Sequence, residues 1–78
     1  MFRIKLIELK SDKNEKLSFY LSKDKQGFFL SCYKIENLFK KRMINKSKYY
    51  SSQHIEKIMN NDYLNLFITE SLKALYQK

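Results

Sequence analysis

Proline and tryptophan are absent from this chain, and glycine, cysteine and histidine occur once each among 78 residues. A lone Cys32 excludes an intramolecular disulfide and a multi-cysteine zinc site. A lone His54 leaves no two metal ligands at useful spacing and no histidine-based acid–base pair, so no metal, cofactor or catalytic residue is expected. No run approaches the roughly 18 apolar residues of a membrane span. The opening MFRIKLIELK carries a charge every second or third residue, unlike a signal peptide. A reducing cytoplasm and no membrane partner are the expectation. Acids are also scarce, eight against sixteen lysines and arginines, which leaves a net charge of +8.

What is present is apolar and aromatic. Hydrophobic residues make up 44% of the chain and aromatic ones 15%, too many for intrinsic disorder. A chain of this size buries only about 60–65% of its unfolded surface, so one domain spanning residues 1–78 is expected, with rings supplying much of its core.

The basic excess is uneven. The stretch Tyr33–Tyr50 holds six lysines and arginines against one acid, Glu36, and contributes +5; residues 1–32 contribute +3 and residues 51–78 contribute nothing. Abundant Lys, Asn, Ile, Tyr and Phe also fit an AT-rich coding sequence, which would raise lysine whatever the function.

Period-2 alternation marks three strands. Phe2, Ile4 and Leu6 alternate with Arg3 and Lys5, and the phase slips near Leu6–Ile7, as at a bulge. Ser11–Lys16 reads as a turn. Leu17, Phe19 and Leu21 alternate with Ser18, Tyr20 and Ser22. Lys23–Gly27 reads as a hairpin loop, and Phe28–Tyr33 as the third strand. Ile35, Leu38, Phe39 and Met43 then fall at helical spacing, which predicts a helix from near Lys34 to Ile44, followed by a polar connector over Asn45–Tyr50. Ser51 and Ser52 are N-cap candidates for a short helix carrying Ile55, Ile58 and Met59. A break at Asn60–Asp62, with Asp62 as a second N-cap, precedes a final helix with Leu64, Phe67, Ile68, Leu72 and Leu75 on one stripe. The expected fold is α+β: a three-stranded antiparallel β-meander followed by two to three helices packed on one face, in βββααα order.

Two surfaces stand out as candidates for nucleic acid. One is the basic stretch, with Lys40, Lys41, Arg42, Lys46 and Lys48 on phosphates and Tyr49 and Tyr50 stacking on bases. Arg42 falls near the apolar stripe of the predicted helix, so it must snorkel out, pair with an acid or meet a partner. The other is the sheet face away from the helices, with Arg3, Lys5, Tyr20, Phe29 and Tyr33. Against these stand ordinary roles: cations in a last helical turn complement the helix dipole, and tyrosines stabilise cross-strand pairs. No ribonucleoprotein consensus, KH-type glycine loop or zinc-knuckle spacing occurs.

The chemistry therefore points to a non-enzymatic binder of RNA or of an RNA–protein complex. In size, charge bias and lack of motifs the chain is similar to small proteins with which phages and mobile elements disable host machinery, anti-CRISPR proteins among them. That likeness implies an inhibitor of an RNA-guided effector or its guide RNA. The alternatives are an acidic protein surface as the target of the basic patch, or a protein–protein module or homodimer that uses Tyr63, Leu66 and Tyr76 or the sheet edge, its basic charge being incidental. A toxin-type ribonuclease working with lysine, arginine and tyrosine is the third.

Overall fold

A computed structural model describes residues 2–76, with the backbone alone for Asn61. Four strands come first: β1 (Phe2–Lys10), β2 (Lys16–Asp24), β3 (Gly27–Asn37) and β4 (Lys40–Lys46). A 3-10 turn (Ser52–His54), a short helix α1 (Ile55–Met59) and a longer helix α2 (Asn61–Tyr76) follow. The strands form one antiparallel sheet in the order β1-β2-β3-β4, a four-stranded meander.

The class is α+β as expected, but the three-stranded count and the helix over Lys34–Ile44 are wrong. β3 continues to Asn37, the chain reverses over Leu38 and Phe39, and β4 runs back beside it. The reversal is an Asx turn, in which Asn37 Oδ1 accepts the Phe39 amide at 2.9 Å. None of the four residues that suggested a helix is buried: Ile35 is half-buried, Met43 is 44% exposed, and Leu38 and Phe39 are 94% and 96% exposed. A helix starting at Lys34 would have left β3 as an edge, with the outward amides and carbonyls beside buried Leu30 and Cys32 lacking a strand to pair with. β4 and the extended residues after it satisfy them: Ser31 and Cys32 pair with Lys46 and Asn45, and the Ser47 amide donates to the Leu30 carbonyl at 2.9 Å.

The core lies between the sheet and α2. Leu17, Phe19 and Leu21 from β2 meet Leu30 and Cys32 from β3, under Ile58 of α1 and Phe67 and Leu75 of α2. The Phe19 and Phe67 rings meet edge to face with centroids 6.0 Å apart. The stripe of α2 matches expectation and includes one residue it did not contain, Ser71, which is fully buried. Its hydroxyl donates to the Phe67 carbonyl at 2.8 Å and accepts from Asn45 Nδ2 at 3.2 Å, tying the helix to β4.

The helical break falls at Asn60, whose backbone is extended (φ −71°, ψ 146°), and α2 starts at Asn61. Asp62 is therefore inside the first turn of α2 and not its cap. Ser51 caps the 3-10 turn without a side-chain bond to an amide; its hydroxyl instead meets His54 Nδ1 at 2.7 Å. The phase slip in β1 is a bulge: Lys5 pairs with Tyr20 and Ile7 with Phe19, leaving Leu6 over. No described helix is long and apolar enough to cross a membrane.

Candidate nucleic-acid interface

Cross-strand register decides which side chains share the helix-free face. Arg3 and Lys5 of β1 stand opposite Ser22 and Tyr20 of β2; Ser22, Tyr20 and Ser18 stand opposite Phe29, Ser31 and Tyr33 of β3. Because the basic stretch is a strand, β4 adds Lys41, Met43 and Lys46 to this face, opposite Ile35, Tyr33 and Ser31. The two surfaces that the sequence suggested separately thus merge into one.

Charge sits directly on the rings. The Arg3 guanidinium lies 5.2 Å from the Tyr20 ring centre and 5.4 Å from that of Tyr33. Lys41 Nζ is 5.4 Å from the Tyr20 ring and donates to its hydroxyl at 3.1 Å. Lys46 Nζ is 4.6 Å from the Phe29 ring and 4.7 Å from that of Tyr49, and it donates to Tyr49 Oη at 2.9 Å. The rings touch one another edge to face, Tyr20 on Tyr33 at 5.6 Å and Phe29 on Tyr49 at 5.4 Å. The result is a second packed layer, aromatic below and cationic above. Tyr20 and Phe29 are only 6% exposed, so neither offers a free face to a base. Their expected role in stacking is not available in this arrangement. Tyr33 and Tyr49 remain partly open.

The acids decide which cations keep their charge unpaired. Glu8 is shared by Lys5 and Lys16, at 3.5 Å each; burial would raise its pKa, but the two lysines outweigh that and hold it below the usual carboxylate value. Glu36 takes Arg42 at 3.4 Å and Lys40 at 3.7 Å, at the β3–β4 hairpin end. Arg42 thus resolves as one half of an ion pair. Among the described residues, Arg3, Lys41 and Lys46 have no carboxylate within ion-pair distance.

Protonation follows the same layout. Burial pushes the Tyr20 phenol up, yet the Lys41 and Ser18 contacts prevail and its pKa is lowered. Lys46 is raised, chiefly by its bond to Tyr49. Tyr49 in turn donates to Asp24 Oδ2 at 2.8 Å. Asp24 is lowered first by the Gln26 amide and next by Tyr49. Lys46, Tyr49 and Asp24 form one hydrogen-bonded line along the end of the sheet. Asp24 was not among the sequence candidates; the signal was its place in the β2–β3 turn, where an Asx turn is common.

The remaining candidates lie elsewhere. Lys48 sits 5.7 Å from the Tyr50 ring centre, and Tyr50 packs edge to face on Tyr63 of α2 at 6.3 Å. Together with His54 and Lys57 they line a shallow pocket of about 280 Å³ on the helical side. The sequence-derived set therefore divides: Arg3, Lys5, Tyr20, Phe29, Tyr33, Lys41, Lys46 and Tyr49 come together, Lys40 and Arg42 stand at the hairpin end, and Lys48 and Tyr50 turn toward α2. Leu38 and Phe39, read from sequence as core, are instead the most exposed large apolar pair. No group of three or more His, Cys, Asp or Glu side chains suited to a metal ion occurs among the described residues. In comparison with known proteins, no family model, curated protein or solved structure matches the chain.

Proposed function

We propose that this protein is a non-enzymatic binder of RNA, alone or within an RNA–protein complex, that grips phosphates with the helix-free sheet face. The observation that supports this reading is the trio Arg3, Lys41 and Lys46: three exposed cations on one face, seated on rings, with no carboxylate pairing them. Lys5 extends the row, shared with Glu8. Cations fixed by rings lose little further side-chain freedom on meeting an anion. With Tyr20 and Phe29 covered, affinity comes from the backbone of the nucleic acid, and only Tyr33 and Tyr49 are open enough to stack. Binding of this kind reads charge and shape more than sequence.

The test is titration of nucleic-acid-free protein with a labelled single-stranded RNA across a salt series. Four phosphate contacts give a log–log slope of about −2.8, and changing Arg3, Lys41 and Lys46 together to Met reduces its size by about 2. Changing Lys40 and Arg42 to Met moves it far less, because they stand at the hairpin end and share Glu36, which offsets part of their charge. Salt-independent or absent binding at low salt sinks the proposal.

A second reading, attachment to a protein, draws support from Leu38 and Phe39 at the hairpin tip, 94% and 96% exposed. Adjacent apolar side chains in water are suited to an apolar pocket on a partner. In that case changing both to Ser abolishes capture of the partner while the charge variants are silent. A phage or mobile-element inhibitor of RNA-guided host machinery accommodates both surfaces, and pull-down from host lysate distinguishes a ribonucleoprotein target from bare RNA.

A further inference from the structure

We propose that the free edge of β1 pairs antiparallel with β1 of a second copy of this chain, with Arg3 of each copy opposite Glu8 of the other. In that arrangement Lys41 and Lys46 remain, among the described residues, the open-face cations without a carboxylate partner. β1 is the first strand of the sheet and its outer side pairs with no described strand. Its helix-side residues Phe2, Ile4 and Ile7 are 42%, 44% and 36% exposed, because the core beneath α2 does not extend over them. An unpaired edge with uncovered apolar side chains is a template for strand addition.

The bulge makes this edge self-complementary. A strand's side chains alternate between faces, and so do its outward hydrogen-bonding groups. The bulge shifts both alternations by one residue between Lys5 and Ile7. The helix side consequently carries even positions, Phe2 and Ile4, on one arm and odd positions, Ile7 and Leu9, on the other. Two-fold pairing centred between Lys5 and Leu6 then sets even opposite odd, and face matches face along both arms. In that register Phe2 faces Leu9 and Ile4 faces Ile7 on the helix side, while Arg3 faces Glu8 on the open side. Each of these three pairs is apolar with apolar or cation with anion. Shifting the register by two residues in one direction sets Lys5 opposite Glu8 but also Arg3 opposite Lys10, so attraction and repulsion offset each other. Shifting it in the other sets Ile4 opposite Lys5. The charge pattern selects the first register, in which each copy repeats the same contacts, as a two-fold interface requires. The axis stands perpendicular to the sheet, so the helix-free faces of both copies lie on one side.

The experiment is sedimentation of the full chain over a concentration series. Wild-type protein is expected to pass from monomer to dimer, and Arg3→Glu or Glu8→Arg alone to weaken association by about tenfold, since each places like charges together twice. The two single variants mixed in equal amounts are expected to form a heterodimer as tight as wild type, because every pair is again opposite in sign. A second measurement does not depend on Arg3, which also covers Tyr20. Ile4→Cys and Ile7→Cys variants, mixed and oxidised, cross-link to each other more than either does to itself; buried Cys32 does not compete. A wild-type chain that stays monomeric throughout overturns the proposal. So does a dimer indifferent to both charge variants, or thiols that fail to cross-link within such a dimer.

Discussion

Lys46 Nζ stands 4.6 Å from the centre of the Phe29 ring, and Phe29 is 6% exposed although no helix covers its side of the sheet. A cationic side chain, with the Tyr49 ring edge-on at 5.4 Å, is its roof. The butylene stem excludes water from the ring and the ammonium interacts with the ring's quadrupole, so one residue contributes both packing and charge.

Those two contributions separate by substitution. Lys46→Ala removes both and lowers unfolding free energy by about 0.5–2 kcal/mol in denaturant titration. Lys46→Met keeps most of the cover and loses the charge; stability stays closer to wild type while RNA affinity falls. Equal loss of stability in the two variants would mean that the charge, not the stem, holds the ring.

The hairpin tip is expected to be silent in stability. Leu38→Ser and Phe39→Ser each change unfolding free energy by no more than about 0.5 kcal/mol, as for surface sites generally. Were they the apolar stripe of a helix, each would lose about 2–5 kcal/mol. The denaturation midpoint decides between the strand and the helix.

Gly27 is the one glycine, and alanine there is strained twice over. Its φ is +133°, which L side chains rarely adopt, and an added Cβ would lie 2.9 Å from the Tyr50 carbonyl oxygen. That carbonyl accepts the Phe28 amide at 3.0 Å, so it cannot yield without breaking the bridge between Phe28 and Tyr50. Gly27→Ala should destabilise by more than about 1 kcal/mol, read from the melting curve.

Alkaline pH offers a test of Cys32. Burial pushes its thiol from 9.0 up to about 11, partly opposed by the bond with Ser71. The unfolded chain releases this proton near its ordinary pKa while the folded chain retains it. The thiol's contribution to stability is therefore complete below the unfolded value and declines as pH rises toward the folded one. Wild type should lose roughly 1–3 kcal/mol more than Cys32→Ala over that range. Parallel pH profiles for the two proteins would exclude the thiol as the cause.

Three strands were legible from their alternation, which is cleanest in β2 and slips only at the bulge in β1. Leu17, Phe19 and Leu21 against Ser18, Tyr20 and Ser22 admit no helical reading. β4 hid because its sequence, KKRMINK, sets three cations in a row and Met43 beside Ile44, with no alternation to read. Met43 on the open face and Ile44 against the core follow ordinary alternation, but the register shift between Cys32 and Tyr33 then leaves Ile44 over and sets Asn45 on the same side as Ile44. Asn37, two residues before Phe39, was the available turn signal, and the chance helical spacing of Ile35, Leu38, Phe39 and Met43 outweighed it. Membership of the open face was legible for Arg3, Lys5, Tyr20, Phe29 and Tyr33. The burial of Tyr20 and Phe29 was not, because the cations that cover them, Lys41 and Lys46, lie in a stretch whose spacing suggests a helix and a connector.

The edge-to-face contact of Phe19 with Phe67 joins residues whose numbers differ by 48 (67 − 19). At a synthesis rate of about 5–20 residues per second, roughly 2–10 s separate the appearance of the two rings at the ribosome. Through that interval the sheet can assemble hairpin by hairpin, each strand beside its predecessor, yet Leu17, Phe19, Leu30 and Cys32 present an uncovered apolar face. A nascent chain stalled before α2 thus leaves that face open to water until the helix closes the core.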